Sequence, residues 1–246
     1  MECFVVDKSD VNLEAMDLLL RGDEARHAAR VLRLKIGDQF LATDLQGVCY
    51  KGSTTSIDSP SKNEWVLVGK IVEVLPKHNE PSLNLMLIQG ITLGQSKFEE
   101  IAEKATEIGL SEIIPMYSKR TEKRTVNAER IRRIIQTACK QSFRATEPQL
   151  HSPLSLGASL ELAKNQGRKI ILLHESAPLQ DTLPYFLQGK QYSSLALVIG
   201  PEGGFDEAEV LLATAEFGAQ VASLGSRRLR AETAAIVAVS IAMSYE

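Results

Sequence analysis

The sequence predicts an α/β protein in two parts, a small and mostly β amino-terminal domain followed by a larger domain built on a parallel sheet. Three observations predict it. Strand-like runs dominate before residue 76, a short proline-bounded segment interrupts the chain, and from residue 82 onward apolar strands alternate with amphipathic helices. The expected division is 1–76, a linker over 77–81, and 82–246.

In the first domain a helical pattern from about Asp23 to Leu34 leads through Gly37-Asp38 into strand-like runs at Gln39–Thr43, Val48–Ser53 and Trp65–Leu75. Asp44-Leu45-Gln46-Gly47 has the composition of a hairpin connection. The linker is Lys77-His78-Asn79-Glu80 between Pro76 and Pro81, because proline disfavours regular structure on either side. Beyond it, Leu83–Gln89 is an apolar strand. Ser96–Ile108 is a helix: Ser96 and Glu99 have capping-box spacing, Phe98, Ile101, Ala102, Ala105 and Ile108 share a face, and Gly109 stops it. Ile113–Met116 is a short strand, and Asn127 caps a helix reaching about Arg144. Lys169–His174, Leu195–Ile199 and Gln220–Leu224 are further strands. Asp206 with Glu209 caps a helix ending at Gly218. The last helix, from about Ala231 to Ser244, is apolar nearly all round and needs burial against the sheet or another subunit.

Composition narrows the class of protein. With 246 residues and 44% hydrophobic content, the chain can bury a full core. It has no run of about 18 apolar residues and no basic-then-apolar leader, so a cytoplasmic protein is expected, neither exported nor in a membrane. Cys3, Cys49 and Cys139 are scattered and odd in number, and the four histidines show no ligand spacing, so reduced thiols and no metal are expected.

The net charge of −3 hides an uneven distribution. Between Lys119 and Arg144 nine basic residues face two acids, a local balance of +7 that leaves −10 for the rest of the chain. At 100° per residue, Arg130, Arg133, Lys140 and Arg144 fall within an arc of roughly 80°, apart from the apolar face of Ile131, Ile134, Ile135 and Ala138. With Lys119, Arg120, Lys123 and Arg124 upstream, this reads as a surface for a phosphate backbone. A solvated helix face is the alternative.

Two strand-to-loop-to-helix elements carry the chemistry. Leu195–Ile199 runs into Gly200-Pro201-Glu202-Gly203-Gly204-Phe205-Asp206, a glycine-rich turn whose backbone can approach a ligand closely or simply reverse the chain. It lacks the G-x-G-x-x-G of dinucleotide sites and the G-K-[ST] ending of P-loops, which disfavours a nicotinamide oxidoreductase. The second element is Val221-Ala222-Ser223-Leu224-Gly225-Ser226-Arg227-Arg228-Leu229-Arg230-Ala231-Glu232-Thr233-Ala234. Two such loops at sheet edges suggest one crevice.

The strings IGPEGGF (199–205) and LGSRRLRAETA (224–234) closely resemble the two signature motifs of the RsmE family, bacterial 16S rRNA uridine-N3 methyltransferases. KATEIG (104–109) with Ile114-Pro115 and Lys119-Arg120-Thr121, Gln141-Ser142 with Arg144 and Pro148, and HAARVLRLKIG (27–37) agree with it, so the likeness spans nearly the whole chain. Two places depart from the family pattern. Met1-Glu2-Cys3-Phe4 has no arginine before its aromatic, and Lys140-Gln141-Ser142-Phe143-Arg144 replaces the usual Glu-Gln-Ser-Gly-Arg.

The resemblance implies a PUA-like amino-terminal β-barrel that binds RNA, a carboxyl-terminal SPOUT α/β domain with a deep trefoil knot, and a homodimer. It implies S-adenosylmethionine held by Leu173, His174 and Glu175, by Gly200, Pro201, Glu202 and Gly203, and by Leu224, Gly225, Ser226 and Leu229. The implied reaction is methylation of N3 of uridine 1498 in 16S rRNA of the small ribosomal subunit. N3 lies on the Watson-Crick edge, so the base must be unpaired or flipped out. Arg230 and Glu232 are the candidate catalytic residues: the arginine to stabilise charge on the uracil or hold a phosphate, the carboxylate to take or relay the proton. Glu232 also suits the first turn of a helix, where the dipole favours an acid. A knotted methyltransferase acting on another RNA and a non-catalytic RNA-binding protein are the competing readings.

Overall fold

The computed structural model describes residues 1–61, 64–122 and 124–246, and its backbone falls into two units, 1–80 with 136–147, and 81–135 with 148–246. Residues 136–147, which local pattern groups with 82–246, cluster with the first unit instead. Periodicity announces a helix there but not which core its last turn joins.

In the first unit, β1 (Cys3–Val5), β2 (Val11–Asn12), β3 (Asp17–Arg21), β4 (Gln39–Thr43), β5 (Val48–Ser61) and β6 (Glu64–Pro76) form a six-stranded sheet in the order β1-β4-β5-β6-β3-β2. Among the described residues of this unit only the β1–β4 pair is parallel. Helix α1 (Gly22–Arg26) continues into one π-helical turn, His27–Val31. Phe4, Leu18, Leu20, Phe40, Ala42, Tyr50, Leu67 and Ile71 share one core, so strands from the whole sheet face inward together. Phe40 occupies space that two glycines leave open: a Cβ on Gly52 or Gly69 would lie 2.7 or 2.6 Å from its ring. The expected hairpin joins β4 to β5, with Leu45 and Gly47 at positive φ. The short strands β1 and β2 escape sequence reading because few residues carry their pattern.

Two of the expected RNA contacts are paired with acids of this unit. Lys140 Nζ is 2.7 Å from Glu24 Oε1. Arg144 lies beyond the end of its helix, has a side chain 3% exposed, and donates to Glu80 Oε2 at 2.7 Å. Its place in the cationic arc is therefore corrected: the helix stops at Ser142, and Phe143 turns the chain at φ +57. The thiols of Cys3, Cys49 and Cys139 are free and buried, and burial pushes them up to about 12, 11 and 12.

The second unit contains β7 (Asn84–Gly90), α2 (Gln95–Ile108), β8 (Glu112–Tyr117), α3 (Ala128–Ser142, as far as residue 135), β9 (Gln149–Leu150), β10 (Leu154–Ser155) and α4 (Leu156–Asn165). It continues with β11 (Lys169–Leu173), α5 (Leu183–Leu187), β12 (Ser194–Ile199), α6 (Glu207–Ala215), β13 (Gln220–Ala222) and α7 (Ala231–Met243). All its strand pairs are parallel, in the order β10-β8-β7-β12-β11-β13 with β9 on β8. Strands buried on both faces read as continuous apolar runs, which is why β7, β11 and β12 are legible in sequence. Met86, Ile88, Ala196, Val198, Ile170 and Leu172 face the core that α4 and α6 complete. Alternation turns Leu85, Leu87, Leu195 and Leu197 the other way, where α7 packs on β7, β12 and α2. No helix among the described residues is long and apolar enough to cross a membrane.

Helix ends test the capping expectations. Asn127 Oδ1 accepts from Arg130 N at 3.0 Å, and Asp206 with Glu209 forms both bonds of a capping box. The box expected at Ser96 and Glu99 does not form: α2 starts after Gly94, and Glu99 is a buried carboxylate 2.8 Å from Arg130 Nε and 2.8 Å from Gln95 Nε2. A buried charge needs a charged or hydrogen-bonding partner more than a helix end needs a cap. Gly109 ends α2 in the left-handed conformation, as expected.

At the amino-terminal edge of this sheet lies an ionic cluster that pattern reading missed. Arg168, 7% exposed, pairs with Glu112 and donates to Asn84 O at 2.8 Å, while His151 Nε2 is 2.9 Å from the other oxygen of Glu112. The cluster ties together the starts of β7, β8 and β11. The bond from His151, reinforced by Arg168, holds the Glu112 carboxyl below the usual carboxylate range against the opposing effect of burial.

Candidate active site

The carboxyl ends of three adjacent strands generate the site. Leu173 at the end of β11 is in register with Ile199 of β12 on one side and Ala222 of β13 on the other. The loops that leave these residues must therefore emerge side by side, the arrangement in which open α/β sheets bind ligands. They enclose a cleft of about 700 Å³, within the range of small-molecule sites.

Ten of the eleven residues expected to hold a cofactor line this cleft. Leu173, His174 and Glu175 come from the first loop, Gly200, Pro201, Glu202 and Gly203 from the second, and Leu224, Gly225 and Leu229 from the third. Ser226 does not. Arg230 lines it as the residue before α7, and Ala231 and Ala234 bring the first turn of α7 to its wall. Glu232 is not among the lining residues, and its Oε2 is buried with no hydrogen-bond partner among the described residues.

The glycine-rich turn is fastened from several directions. Gly204 N donates to Pro201 O at 2.8 Å, and Gly204 has φ +66. A Cβ on Gly200 would sit 3.2 Å from the backbone of Gly204. Glu202 accepts from Leu93 N at 3.2 Å and from Lys97 Nζ at 3.2 Å, which ties the turn to the segment leading into α2. From the opposite side, Arg120 Nη1 donates to Gly203 O at 2.7 Å, Lys119 N donates to Glu209 Oε1 at 2.7 Å, and Lys119 Nζ is 2.8 Å from Asp206 Oδ2. The hydrogen bond from Lys119, followed by that from Glu209 N, holds the Asp206 carboxyl below its usual range.

Lys119 and Arg120 were expected on an RNA surface, yet both touch the glycine turn or its helix, and Arg120 lines the cleft. Arg124 lies over the Tyr117 ring at 5.2 Å. Arg130 and Arg133 are exposed, paired with Glu99 and Glu129. Lys123 lies outside the described residues. Sequence reading missed Lys97, Ser223 and Phe205 as lining residues. Lys97 carries no local signal, since it is one lysine in an amphipathic helix brought over by strand order. Ser223 borders the second motif, and its buried hydroxyl has no partner among the described residues.

On the third loop Arg228 Nε is 3.3 Å from Glu175 Oε2. His174 Nδ1 is 3.2 Å from Ser176 N and 2.6 Å from Ser176 Oγ. Among the described residues no group of three or more His, Cys, Asp or Glu could hold a metal ion.

The parallel α/β domain with its glycine-lined cleft and the small β unit both match family models of RNA methyltransferases. The family model described as the RNA methyltransferase domain matches residues 79–243, and that of the RNA methyltransferase PUA domain matches residues 20–58. The chain is 35% identical to ribosomal RNA small subunit methyltransferase E of Mesomycoplasma hyopneumoniae, over 71% of this chain and 79% of that one. It is 30% identical to the protein of the same name from Aquifex aeolicus, over 93% and 94%. A crystal structure of ribosomal RNA small subunit methyltransferase E from Neisseria gonorrhoeae bound to S-adenosyl methionine superposes with a TM-score of 0.79 at 25% identity, covering 98% of this chain and 95% of that one. The chain belongs to the ribosomal RNA small subunit methyltransferase E family.

Proposed function

We propose that this chain transfers a methyl group from S-adenosylmethionine to N3 of uridine 1498 in 16S rRNA of the small ribosomal subunit. The observation that carries the reading is the convergence of three loops, two bearing the family's motifs, on one cleft at registered strand ends. The residues fit the cofactor. Glycines keep the backbone open to a ligand, and the buried Ser223 hydroxyl is left for a polar partner. Leu173, His174, Glu175, Gly200, Pro201, Glu202, Gly203, Leu224, Gly225, Ser226 and Leu229 would hold it.

When bound, the cofactor supplies an already activated methyl group, so the chain needs no nucleophile of its own. What remains is alignment, exclusion of water and disposal of the N3 proton. Arg230, on the cleft wall, stabilises charge developing on the uracil or holds a phosphate of the target. Glu232, two residues on with one buried and unpartnered oxygen, accepts or relays the proton.

Lys119, Arg120, Lys123, Arg124, Arg130, Arg133 and Lys140 steer the rRNA, with residues 1–76 as a PUA-like RNA-binding domain, 77–81 as linker and 82–246 as the catalytic domain. The deep trefoil knot belongs to the same reading, supported by β12 lying between β7 and β11 with β13 beyond. The apolar α7 supports a homodimer, and the substrate supports a cytoplasmic location.

The test is methyl transfer from labelled cofactor to whole small subunits and to naked 16S rRNA, followed by nucleoside mass spectrometry. The expected product is 3-methyluridine. A different methylated nucleoside would favour another RNA target, and no transfer to either substrate would overturn the assignment.

A further inference from the structure

The cleft carries more positive charge than its cofactor accounts for. Its cationic wall residues are Lys97, Arg120, Arg227, Arg228 and Arg230, and its acids are Glu175 and Glu202. Both acids are engaged, Glu202 with Lys97 at 3.2 Å and Glu175 with Arg228 at 3.3 Å. Among the described residues no carboxylate is within ion-pair distance of Arg120, Arg227 or Arg230; Arg120 feels only the Asp206 carboxylate beyond that distance, and Arg227 and Arg230 are uncompensated. S-adenosylmethionine itself bears a sulfonium and an ammonium against one carboxylate, so its arrival adds positive charge. The remaining ligand must be a polyanion, and guanidinium forks match phosphate oxygens in geometry as well as charge.

We infer that Arg120, Arg227 and Arg230 form a phosphate clamp inside the cleft that grips the backbone on both sides of the flipped target nucleotide. This rests on the methyltransferase reading above and adds to it how the target is held. Arg120 spends one donor on Gly203 O at 2.7 Å, which fixes the side chain and leaves its other N–H groups for phosphate. Arg227 follows Gly225 and Ser226 in an exposed loop, with Gly225 at φ +105, and makes no hydrogen bond or ion pair among the described residues. Arg230 stands at the start of α7 with no capping bond from its side chain. The clamp reads no base. It sets the distance between the target's two phosphates and the cofactor loops.

The probes are uridine and uridine 3′,5′-bisphosphate, titrated into the full-length protein by calorimetry in the presence of S-adenosylmethionine. The bisphosphate should bind at least about tenfold more tightly than uridine, since charge-assisted bonds to phosphate are among the strong ones. Arg227→Gln should remove about tenfold of that advantage while cofactor affinity stays within about twofold; Arg120→Gln should remove a similar share and also weaken cofactor binding, because it frees Gly203. Arg228→Gln, whose charge Glu175 already offsets, should change it by less than about threefold.

Because Arg120 also holds the glycine turn, Arg227→Gln is the decisive variant. Equal binding of the two probes, or an Arg227→Gln protein that loses cofactor affinity instead of bisphosphate affinity, overturns the clamp. Wild-type methyl transfer to rRNA is scored separately. Its absence with bisphosphate binding intact overturns the methyltransferase reading, whereas its presence without bisphosphate binding overturns only the clamp.

Discussion

A Cβ on Gly90, the last residue of β7, would lie 2.2 Å from the backbone nitrogen of Pro201 in the turn after β12. The two strands are neighbours, so the glycine turn crosses directly over the end of β7. The obstructing atoms, Pro201 N, Gly200 C and Pro201 Cδ, belong to the backbone or a proline ring and cannot swing aside as a flexible side chain does. Gly90→Ala should therefore displace the turn, lower stability by about 1–3 kcal/mol and weaken cofactor binding by at least about tenfold. Urea unfolding with cofactor calorimetry checks this. Unchanged affinity would show that the turn does not shape the cofactor site.

On the proposed mechanism, Arg230 and Glu232 act separately from cofactor binding. Arg230→Ala should slow single-turnover methyl transfer by about 10²- to 10³-fold, and Glu232→Gln by about 10²-fold, with cofactor affinity within about twofold of wild type. Wild-type rates at saturating cofactor would remove both from the mechanism.

The cations of α3 and its exit divide into two kinds. Arg133→Glu should weaken rRNA binding and lower the slope of log K against log salt, because the side chain is exposed. Arg144→Met should instead cost about 3–5 kcal/mol of stability by stranding Glu80, and leave the salt slope alone. Arg130→Glu is a poor probe, since it would also place a second acid beside the buried Glu99. Filter binding across a salt series and denaturant unfolding distinguish these outcomes.

Glu112 makes stability acid-sensitive. Its folded pKa lies below its unfolded value, first because of His151 and then Arg168, so its contribution is complete above the unfolded pKa and lost as pH falls through the folded one. Unfolding measured from neutral pH into the acid range should show a steep decline for the wild type and a shallower one for Glu112→Gln. Parallel curves would mean that the cluster does not govern acid unfolding.

Phe143 stands where the family's string has glycine, and it adopts φ +57. A side chain pays a steric cost in this conformation that glycine avoids, so Phe143→Gly should raise stability by about 0.5–1 kcal/mol after the greater entropy of the unfolded glycine is counted. A fall in unfolding midpoint would mean that packing of the ring outweighs the backbone term.

Sequence reading succeeded where one short stretch contains its own physical cause. The apolar runs of β7, β11 and β12, the capping box of Asp206 and Glu209, and the stop at Gly109 depend on neighbours within a turn or a strand. The two motifs likewise announced their loops, because glycine and its flanking residues are local. It failed where a side chain's role depends on a partner far along the chain. Ser96 and Glu99 have the spacing of a cap, but Glu99 is claimed by Arg130, 31 positions away. Arg144 sits in a cationic arc on paper, but Glu80 claims it.

By itself, then, the sequence determined the two-part α/β plan, the two motif-bearing loops and the family, since these follow from periodicity and from motifs carried on single segments. Only the tertiary structure decided that Lys97 and Arg120 belong to the cleft, that Lys140 and Arg144 are tied to the first unit's own acids, and that Gly90 must lack a side chain. The reason is the parallel sheet: its strand order is not the order of the chain, so residues 90 and 201 become neighbours only through the pairing of β7 with β12.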